Sequence, residues 1–379
     1  MSFKRLFTRF LAARPERLHF AAHSHHPWPD VTLDAHLRYW NDSAVAMDDK
    51  WDSIFEDVVP ALRRRLGAVL GLGDGASLAL APNTHEQVNR VFSSFEPPVR
   101  IVTTDGEFHS FRRQTRRWEE AGRASVVRVR MEPFPTFSDR FTQALDDADL
   151  IYLSQVPYDS GWVVDRLDQI VAMAPSRAIV MVDGYHGFMA IPTDWRTLGG
   201  RAFYLAGGYK YAMAGEGACF MHCPPGIIER PIDTGWFAGF GALTERSDEV
   251  PYGPGGDRFW GATFDPSGLY RLDAVLRLFE QERISVAAVR GHVGELHQRF
   301  LAAGRLPGEL VPPVEMERGS FLTFRTGAAK EIHDRLHERQ VITDYRGDRL
   351  RIGFGIYHDP EDVDRLVSEV GAAASGFSP

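Results

Sequence analysis

Two residues in this chain are of the right type and in the right place to do chemistry together. Asp183 and Lys210 stand at the two ends of a 28-residue stretch. The apolar run Ala178 to Val182 has the composition of a buried strand and ends on Asp183, while a second run, Ala202 to Leu205, passes through Ala206-Gly207-Gly208 to Tyr209-Lys210. An acid at the carboxyl end of one strand and a lysine just past another meet the needs of pyridoxal phosphate (PLP). The amine carries the cofactor as a Schiff base, and the acid keeps the ring nitrogen protonated so that the ring can draw off electrons. A buried carboxylate needs a partner, and a protonated pyridine nitrogen is one. His186, three residues after Asp183, joins the pair as a third candidate catalytic residue.

Further residues fit the same chemistry. Ala81-Pro82-Asn83-Thr84 joins a predicted strand to a predicted helix, and Thr84-x-x-Gln87 has the form of a capping box. Free N–H groups at such a helix start make a natural phosphate seat. Glu107-Phe108-His109-Ser110 follows the next strand, so Phe108 is placed to stack on a flat ring. Each position taken alone has a plainer explanation as a cap, a core ring or a surface charge. In order, however, Thr84, Phe108, Asp183, His186 and Lys210 each fall just beyond a predicted strand, and a common site explains that better than five coincidences.

The elements that must hold these residues alternate along the chain. Strands are expected at 77–81, 101–105, 125–131, 150–154 and 178–183, with helices from Thr84 and at 110–121, 138–147 and 166–174. This predicts an α/β fold whose mostly parallel, mixed sheet lies between helices, with ligands at the carboxyl ends of the strands. Residues 31–71 read as helical, and 225–265, rich in Gly, Pro and aromatics, as long structured loops. One long helix over about 268–303 leads to a smaller C-terminal α+β unit. That unit has strands in GSFLTFRT and DRLRIGFG and helices at 328–339 and 360–373. The expected divisions are an N-terminal arm and helix at 1–50, a large PLP-binding domain at 51–267, and a linking helix with the small domain at 268–379. Gly71-Leu72-Gly73-Asp74-Gly75 resembles a dinucleotide loop but follows a helix and precedes a strand, the reverse of that fingerprint, and is read as a turn.

Composition narrows the partners. Lys+Arg number 43 against 51 Asp+Glu, and the net charge of −8 argues against nucleic acid or an anionic membrane as partner. The basic runs Arg63-Arg64-Arg65 and Arg112-Arg113-Gln114-Thr115-Arg116-Arg117 read as solvated helix faces. Two cysteines, Cys219 and Cys223, exclude a disulfide framework and suit a reducing cytoplasm, and both read as core thiols on one strand. His23, His25 and His26 crowd four residues, but Pro27 and Pro29 make a turn beside a pocket the better reading, and no metal is expected.

With these motifs in view, the chain resembles the class V aminotransferase family of fold-type I PLP enzymes, and within it most of all the kynureninases. The resemblance covers nearly the whole length. D-x-x-H at 183–186, Y-K at 209–210, E-F-x-S at 107–110 and G-W-F at 235–237 match, and LSQVPYDSG at 153–161 matches more loosely. Trp236 stands 26 residues after Lys210, as the kynureninase pattern expects. The resemblance implies that Lys210 bonds the cofactor and later moves protons, that Asp183 pairs with the ring nitrogen, and that His186 supports the cofactor or the Asp. It implies Phe108 stacked on the ring, Ser154 beside Asp183, and Asn83, Thr84 and Tyr209 about the phosphate. Trp236 would reach the phosphate region of a neighbouring subunit, so a homodimer with sites at the interface is expected. Thr263, in an R-F-x-x-A-T run like the R-F-x-x-G-T of related aminotransferases and epimerases, inherits a similar role. Arg351 matches the arginine that clamps the substrate α-carboxylate, with Arg346 as a competitor.

The substrate half departs from that pattern. Phe264 stands 28 residues after Trp236, where kynureninases carry an asparagine that helps hold the aryl ring. His23-Ser24-His25-His26 replaces the N-S-L-G of their N-terminal arm. The expectation is therefore a PLP-dependent lyase or hydrolase that cleaves a side-chain carbon bond of an α-amino acid other than kynurenine, with His23, Ser24 and Phe264 facing the substrate. An aminotransferase or epimerase on the same fold is the alternative.

Overall fold

In the computed structural model, which describes residues 2–242, 248–304 and 307–376, the β-rich runs form one seven-stranded sheet. Its order is Leu78–Ala81, Cys219–His222, Ala202–Gly207, Ile179–Asp183, Leu150–Ser154, Val99–Thr104 and Ala124–Val129. Every neighbouring pair is parallel except the two that involve Cys219–His222, which runs against both of its neighbours. Most of these strands are buried along their whole length, as near-continuous Val, Ile, Leu and Ala runs covered by helices on both faces must be. The sheet is mostly parallel and mixed, as expected.

Register sets the working edge of the sheet. Ser154 pairs with Asp183, and Asp183 with Leu205, so two polar side chains stand in one row at the carboxyl ends of adjacent parallel strands. Gly207 and Ala81 both pair with Cys219 from opposite sides, which brings the approach to Lys210 and the start of the Thr84–Phe92 helix to the same edge.

A second, antiparallel sheet of Asp344–Arg346, Arg349–Gly353, Phe321–Arg325 and Glu309–Val311 forms the C-terminal unit, with the helices Ala329–Glu338 and Pro360–Ala373. The N-terminal arm docks on this unit. Leu18–His19 pairs in parallel with Val341–Ile342, and Ala21 bridges to Gly353. Leu18 and Phe20 enter the same apolar cluster as Leu322, Ile332, Leu350 and Leu366.

Three local expectations need correction. The long helix is two, Ser267–Glu282 and Val286–Ala302: Arg283 takes a left-handed conformation (φ 55°), and Ser285 caps the second helix by accepting from the Ala288 N–H. The helical stretch 31–71 is interrupted at Met47 (φ 49°) and contains a π-helical turn at Ile54–Val58. The helix is capped one residue earlier than expected, and not by a capping box. Asn83 is the N-cap, its side chain accepting from Glu86 N at 2.9 Å and donating to Glu86 Oε1 at 3.0 Å, while Gln87 is buried and donates to the Ala79 carbonyl. Of the loop expected at 225–265, residues 243–247 lie outside the described residues; the rest is loop with short 3-10 turns at Trp236–Ala242 and Gly255–Phe259. No helix among the described residues is long and apolar enough to cross a membrane.

Candidate active site

A cavity of about 1070 Å³ opens at the carboxyl edge of the large sheet, lined among others by Asn83, Thr84, Phe108, Ser154, Asp183, His186, Tyr209 and Lys210. These eight residues come from five separate loops and strand ends, and the sheet register brings them together.

Lys210 lies at the cavity wall, only 5% exposed. Its Nζ is in hydrogen-bond contact with His186 Nε2 at 2.9 Å and sits 5.3, 4.9 and 5.6 Å from the ring centres of Phe108, Tyr185 and Tyr209. Burial lowers its pKa to about 7, against the opposing pull of Asp183. The amine is therefore available uncharged near neutrality, the state a nucleophilic lysine needs. Burial likewise holds His186 well below its ordinary value, with the Lys210 charge adding to the effect. The close approach behind Lys210 depends on Gly207, where a Cβ would fall 2.2 Å from the Tyr185 hydroxyl and 2.4 Å from Cys219 Sγ.

Asp183 accepts from the Tyr152 hydroxyl through Oδ2 at 2.9 Å and from the Tyr185 N–H through Oδ1 at 2.8 Å. Enclosure raises its pKa, while the Tyr185 N–H, Lys210 and Tyr152 hold it down. Tyr152 is itself fixed by stacking on Phe111, ring centres 3.7 Å apart. One row away, Glu107 is fully enclosed. It takes the Thr104 hydroxyl at 2.6 Å, the Ser154 N–H at 3.1 Å and the Ser154 hydroxyl at 2.6 Å. Burial pushes its pKa to about 8, and the neighbouring Asp183 adds to the rise.

These residues suit PLP on several independent counts. A buried lysine lines the cavity, its ammonium disfavoured by burial, and a carboxylate with acceptor capacity beyond its two hydrogen bonds lines it too. Phe108 offers a ring face, and Asn83 and Thr84, at the start of a helix, line the cavity. A space of this size takes a substituted pyridine together with an amino acid.

Other expected residues lie elsewhere. Arg351 is buried behind the cavity wall, donating through Nη1 to the carbonyl of Tyr158 and through Nη2 to Asp344, with its Nε left without a partner. Asp344 also takes Arg346, whose side chain is 41% exposed, so both arginine candidates are tied to one carboxylate. His23 is enclosed and stacks on Phe321 at 4.7 Å, and neither ring nitrogen has a hydrogen-bond partner; burial holds its pKa well below the ordinary value. Ser24 is half-buried and its hydroxyl meets only His25 Nδ1, at 3.2 Å. His25 is exposed, and His26 is buried with Nδ1 donating to the Pro27 carbonyl at 2.7 Å. No group of three or more His, Cys, Asp and Glu among the described residues is disposed to hold a metal ion. Trp236, 39% exposed, donates to the Thr263 hydroxyl at 3.0 Å; Phe264 packs on Phe237 and Trp260; none of the three lines this chain's cavity.

Some residues at the site went unassigned from sequence. Tyr152 lies two residues before Ser154, hence on the same strand face, and a buried tyrosine hydroxyl implies a partner. Glu107 stands in a matched motif, yet nothing local announces three donors converging on it. Cys219 was read as a core thiol. It is buried and its pKa is raised to about 12 by enclosure, but it also lines the cavity beside the Tyr185 hydroxyl at 3.4 Å.

The kynureninase C-terminal domain family model matches residues 301–370. The chain is 29% identical over 360 residues to a kynureninase of Deinococcus radiodurans, covering 89% of this chain and 82% of that protein. It is 30% identical over 366 residues to the isopenicillin N epimerase of Streptomyces clavuligerus, covering 83% and 85%. Among solved structures it resembles the cystine C–S lyase C-DES in complex with its product cysteine persulfide (TM-score 0.83, 15% identity, 97% of this chain and 100% of that one). It also resembles a C-DES mutant with glycine covalently linked to its PLP cofactor (TM-score 0.85, 15% identity, 100% of both chains). At such identities these structures attest the fold.

Proposed function

Because this chain belongs to the class V aminotransferase family of fold-type I enzymes and is PLP-dependent, we propose that it is a kynureninase-like lyase or hydrolase. In this reading it acts on an α-amino acid other than kynurenine and breaks a carbon bond of the side chain. The observation that carries the proposal is Lys210. Its amine is buried, in contact with His186 at 2.9 Å, ringed by Phe108, Tyr185 and Tyr209, and burial lowers its pKa to about 7.

Lys210, Asp183, Phe108, Asn83, Thr84 and Tyr209 would hold the cofactor, which supplies a sink for the electrons of bonds broken at the substrate's α-carbon. The chain's own groups do the rest. Lys210 Nζ takes up and returns the proton at the α-carbon, and His186 Nε2, held neutral by burial, is the group in reach to receive or supply a proton at Nζ. Tyr152 and the Tyr185 N–H orient Asp183 and oppose the rise that burial gives its pKa. Phe108 and Tyr185 exclude water from one side of the lysine. Arg351 would receive the substrate carboxylate by exchanging its bonds to Asp344 or the Tyr158 carbonyl, since it does not itself line the cavity. Trp236 and Thr263, paired with each other at 3.0 Å away from this chain's own cavity, would complete the site of a second subunit in a homodimer.

The relative at 30% identity favours one other reading, an epimerase, in which the same lysine returns the proton to the opposite face of the α-carbon. Purified protein supplied with PLP should develop a visible absorbance that borohydride discharges and Lys210→Ala lacks; no such absorbance in the wild type sinks the proposal. Amino acids, with kynurenine and 3-hydroxykynurenine among them, are then followed by chiral chromatography and carbonyl-product assays. A shortened amino acid supports the lyase, inversion without fragmentation the epimerase, and stoichiometric conversion of the cofactor to its amine form an aminotransferase. Rapid anthranilate release from kynurenine would contradict the exclusion of that substrate.

A further inference from the structure

The cavity does not end at Phe108. It continues along the helix His109–Glu120, where Arg112, Arg113, Arg116 and Arg117 all line it and all four side chains are exposed. Resting on the PLP-enzyme function proposed above, we infer that this arginine face selects the substrate. The amino acid that enters carries a second acidic group, a side-chain carboxylate, which the arginines receive while its amino-acid end reaches Lys210.

Helix spacing makes the run costly to keep without a ligand. Arg112 and Arg116, and likewise Arg113 and Arg117, are i,i+4 neighbours, and like charges at that spacing repel and destabilise the helix. Arg112 also lies in the first turn, where the helix dipole disfavours positive charge, whereas Arg117 lies in the last. Compensation is sparse. Three carboxylates line the cavity, and each is engaged: Asp183 by Tyr152 and the Tyr185 N–H, Glu216 by His25 at 3.8 Å, and Glu120 by Arg117 at 3.7 Å. Among the described residues Arg112 has only the Tyr158 hydroxyl, at 3.4 Å, and Arg113 and Arg116 have no ion pair or hydrogen bond. The other basic run is different. Arg63 is bonded to Asp257, and Arg65 to Asp273 and Glu280, as a run that stabilises the fold should be.

Tyr158 links this face to the amino-acid end of the cavity. Its hydroxyl takes Arg112 and its carbonyl takes Arg351. One tyrosine thus separates two cationic positions, a spacing suited to a molecule with an acid at each end. A guanidinium fork is the side chain best matched to a carboxylate, and Arg113 and Arg116 have their donors uncommitted.

The test is titration of the PLP-loaded enzyme, read by the change in cofactor absorbance, with L-aspartate, L-glutamate and L-2-aminoadipate against L-asparagine, L-glutamine and L-norvaline. The inference expects the acids to bind roughly three- to tenfold tighter than their uncharged counterparts, since each exposed arginine contributes up to about fivefold. The preference should fade as salt shortens the screening length from ~30 Å at 0.01 M to ~3 Å at 1 M. In the Arg113→Gln/Arg116→Gln variant the preference should fall to about twofold or less, with cofactor affinity and the response to norvaline unchanged. Equal titration by acids and amides in the wild type overturns the inference and leaves the proposed function standing. So does a double variant that keeps the preference, or one that loses PLP instead, which would assign the arginines to the cofactor phosphate. A wild-type protein that takes up no PLP overturns the proposed function, and this inference with it.

Discussion

Replacing Glu107 with glutamine should remove a loss of stability that the wild type suffers as pH rises. The carboxyl group is fully enclosed and takes hydrogen bonds from Thr104 Oγ1, Ser154 N and Ser154 Oγ, yet burial still pushes its pKa from 4.5 to about 8. In the unfolded chain the group ionises near its ordinary value of 4.5. Between that pH and about 8 the native protein therefore keeps a proton that the unfolded chain has lost, and stability falls as pH rises. At about 1.36 kcal/mol per pH unit, the interval amounts to about 5 kcal/mol, all of it lost above pH 8. Glutamine never ionises and has no such dependence. It does lose one acceptor for the three donors, which costs about 1 kcal/mol at every pH. Glu107→Gln should thus be slightly less stable than the wild type at pH 5 and more stable by several kcal/mol at pH 9. Urea midpoints of the cofactor-free proteins at pH 5, 7 and 9 measure this directly. A constant difference between the two at all three values would mean that the three donors overcome burial and keep Glu107 ionised throughout, and the reasoning would be wrong.

The remaining predictions concern the lysine, its backbone setting and the helix cap. Because burial brings Lys210 to about pH 7, the rate of PLP uptake by cofactor-free enzyme should climb about tenfold per pH unit up to about 7 and level off above it, where the amine is already uncharged. A rate still climbing beyond pH 9 would mark an ordinary lysine, and stopped-flow absorbance decides between the two. Gly207→Ala forces a Cβ against Tyr185 and Cys219 and should weaken PLP binding at least about tenfold, a loss of ~1.4 kcal/mol. Gly200→Ala, with nothing within 4 Å of the new Cβ, should leave equilibrium binding unchanged. Asn83→Ala removes the cap on the Thr84–Phe92 helix and should lower the stability of the cofactor-free protein by about 1 kcal/mol in chemical denaturation.

What could be read from sequence follows from how local each signal is. Asp183, Ser154, Phe108 and Lys210 were visible because each closes or follows a short β-branched or apolar run, and a parallel sheet presents the ends of such runs along one edge. Errors of detail came from competition between equally plausible local solutions. Asn83 and Thr84 can both cap a helix, and Asn83 prevails because its amide also reaches Glu86 Oε1, while Gln87 is drawn into the interior to satisfy the Ala79 carbonyl. Arg283 is neither Gly nor Pro, so nothing in its type marked the left-handed turn that divides the long helix. Tyr152, Glu107 and Asp344 belong to a different class. Their meaning lies in partners 31, 47 and 7 residues away, at Asp183, Ser154 and Arg351, which the pairing of strands decides.

The same argument explains why the residues expected around the cofactor converge on one cavity while those expected around the substrate do not. The first set sits at the carboxyl ends of strands of a single sheet, or just beyond them, so one topology rule positions them all. His23 reaches its surroundings only because Leu18–His19 pairs with Val341–Ile342 and Ala21 bridges to Gly353, an association between the two ends of the chain. Arg351 depends on the same junction, since its strand partner Asp344 lies 3.8 Å from His23 Nε2. At that junction both His23 nitrogens and Arg351 Nε are enclosed without partners, a combination that a folded chain keeps at a cost of about 1–3 kcal/mol per group. A carboxylate admitted to that junction would repay that cost on binding.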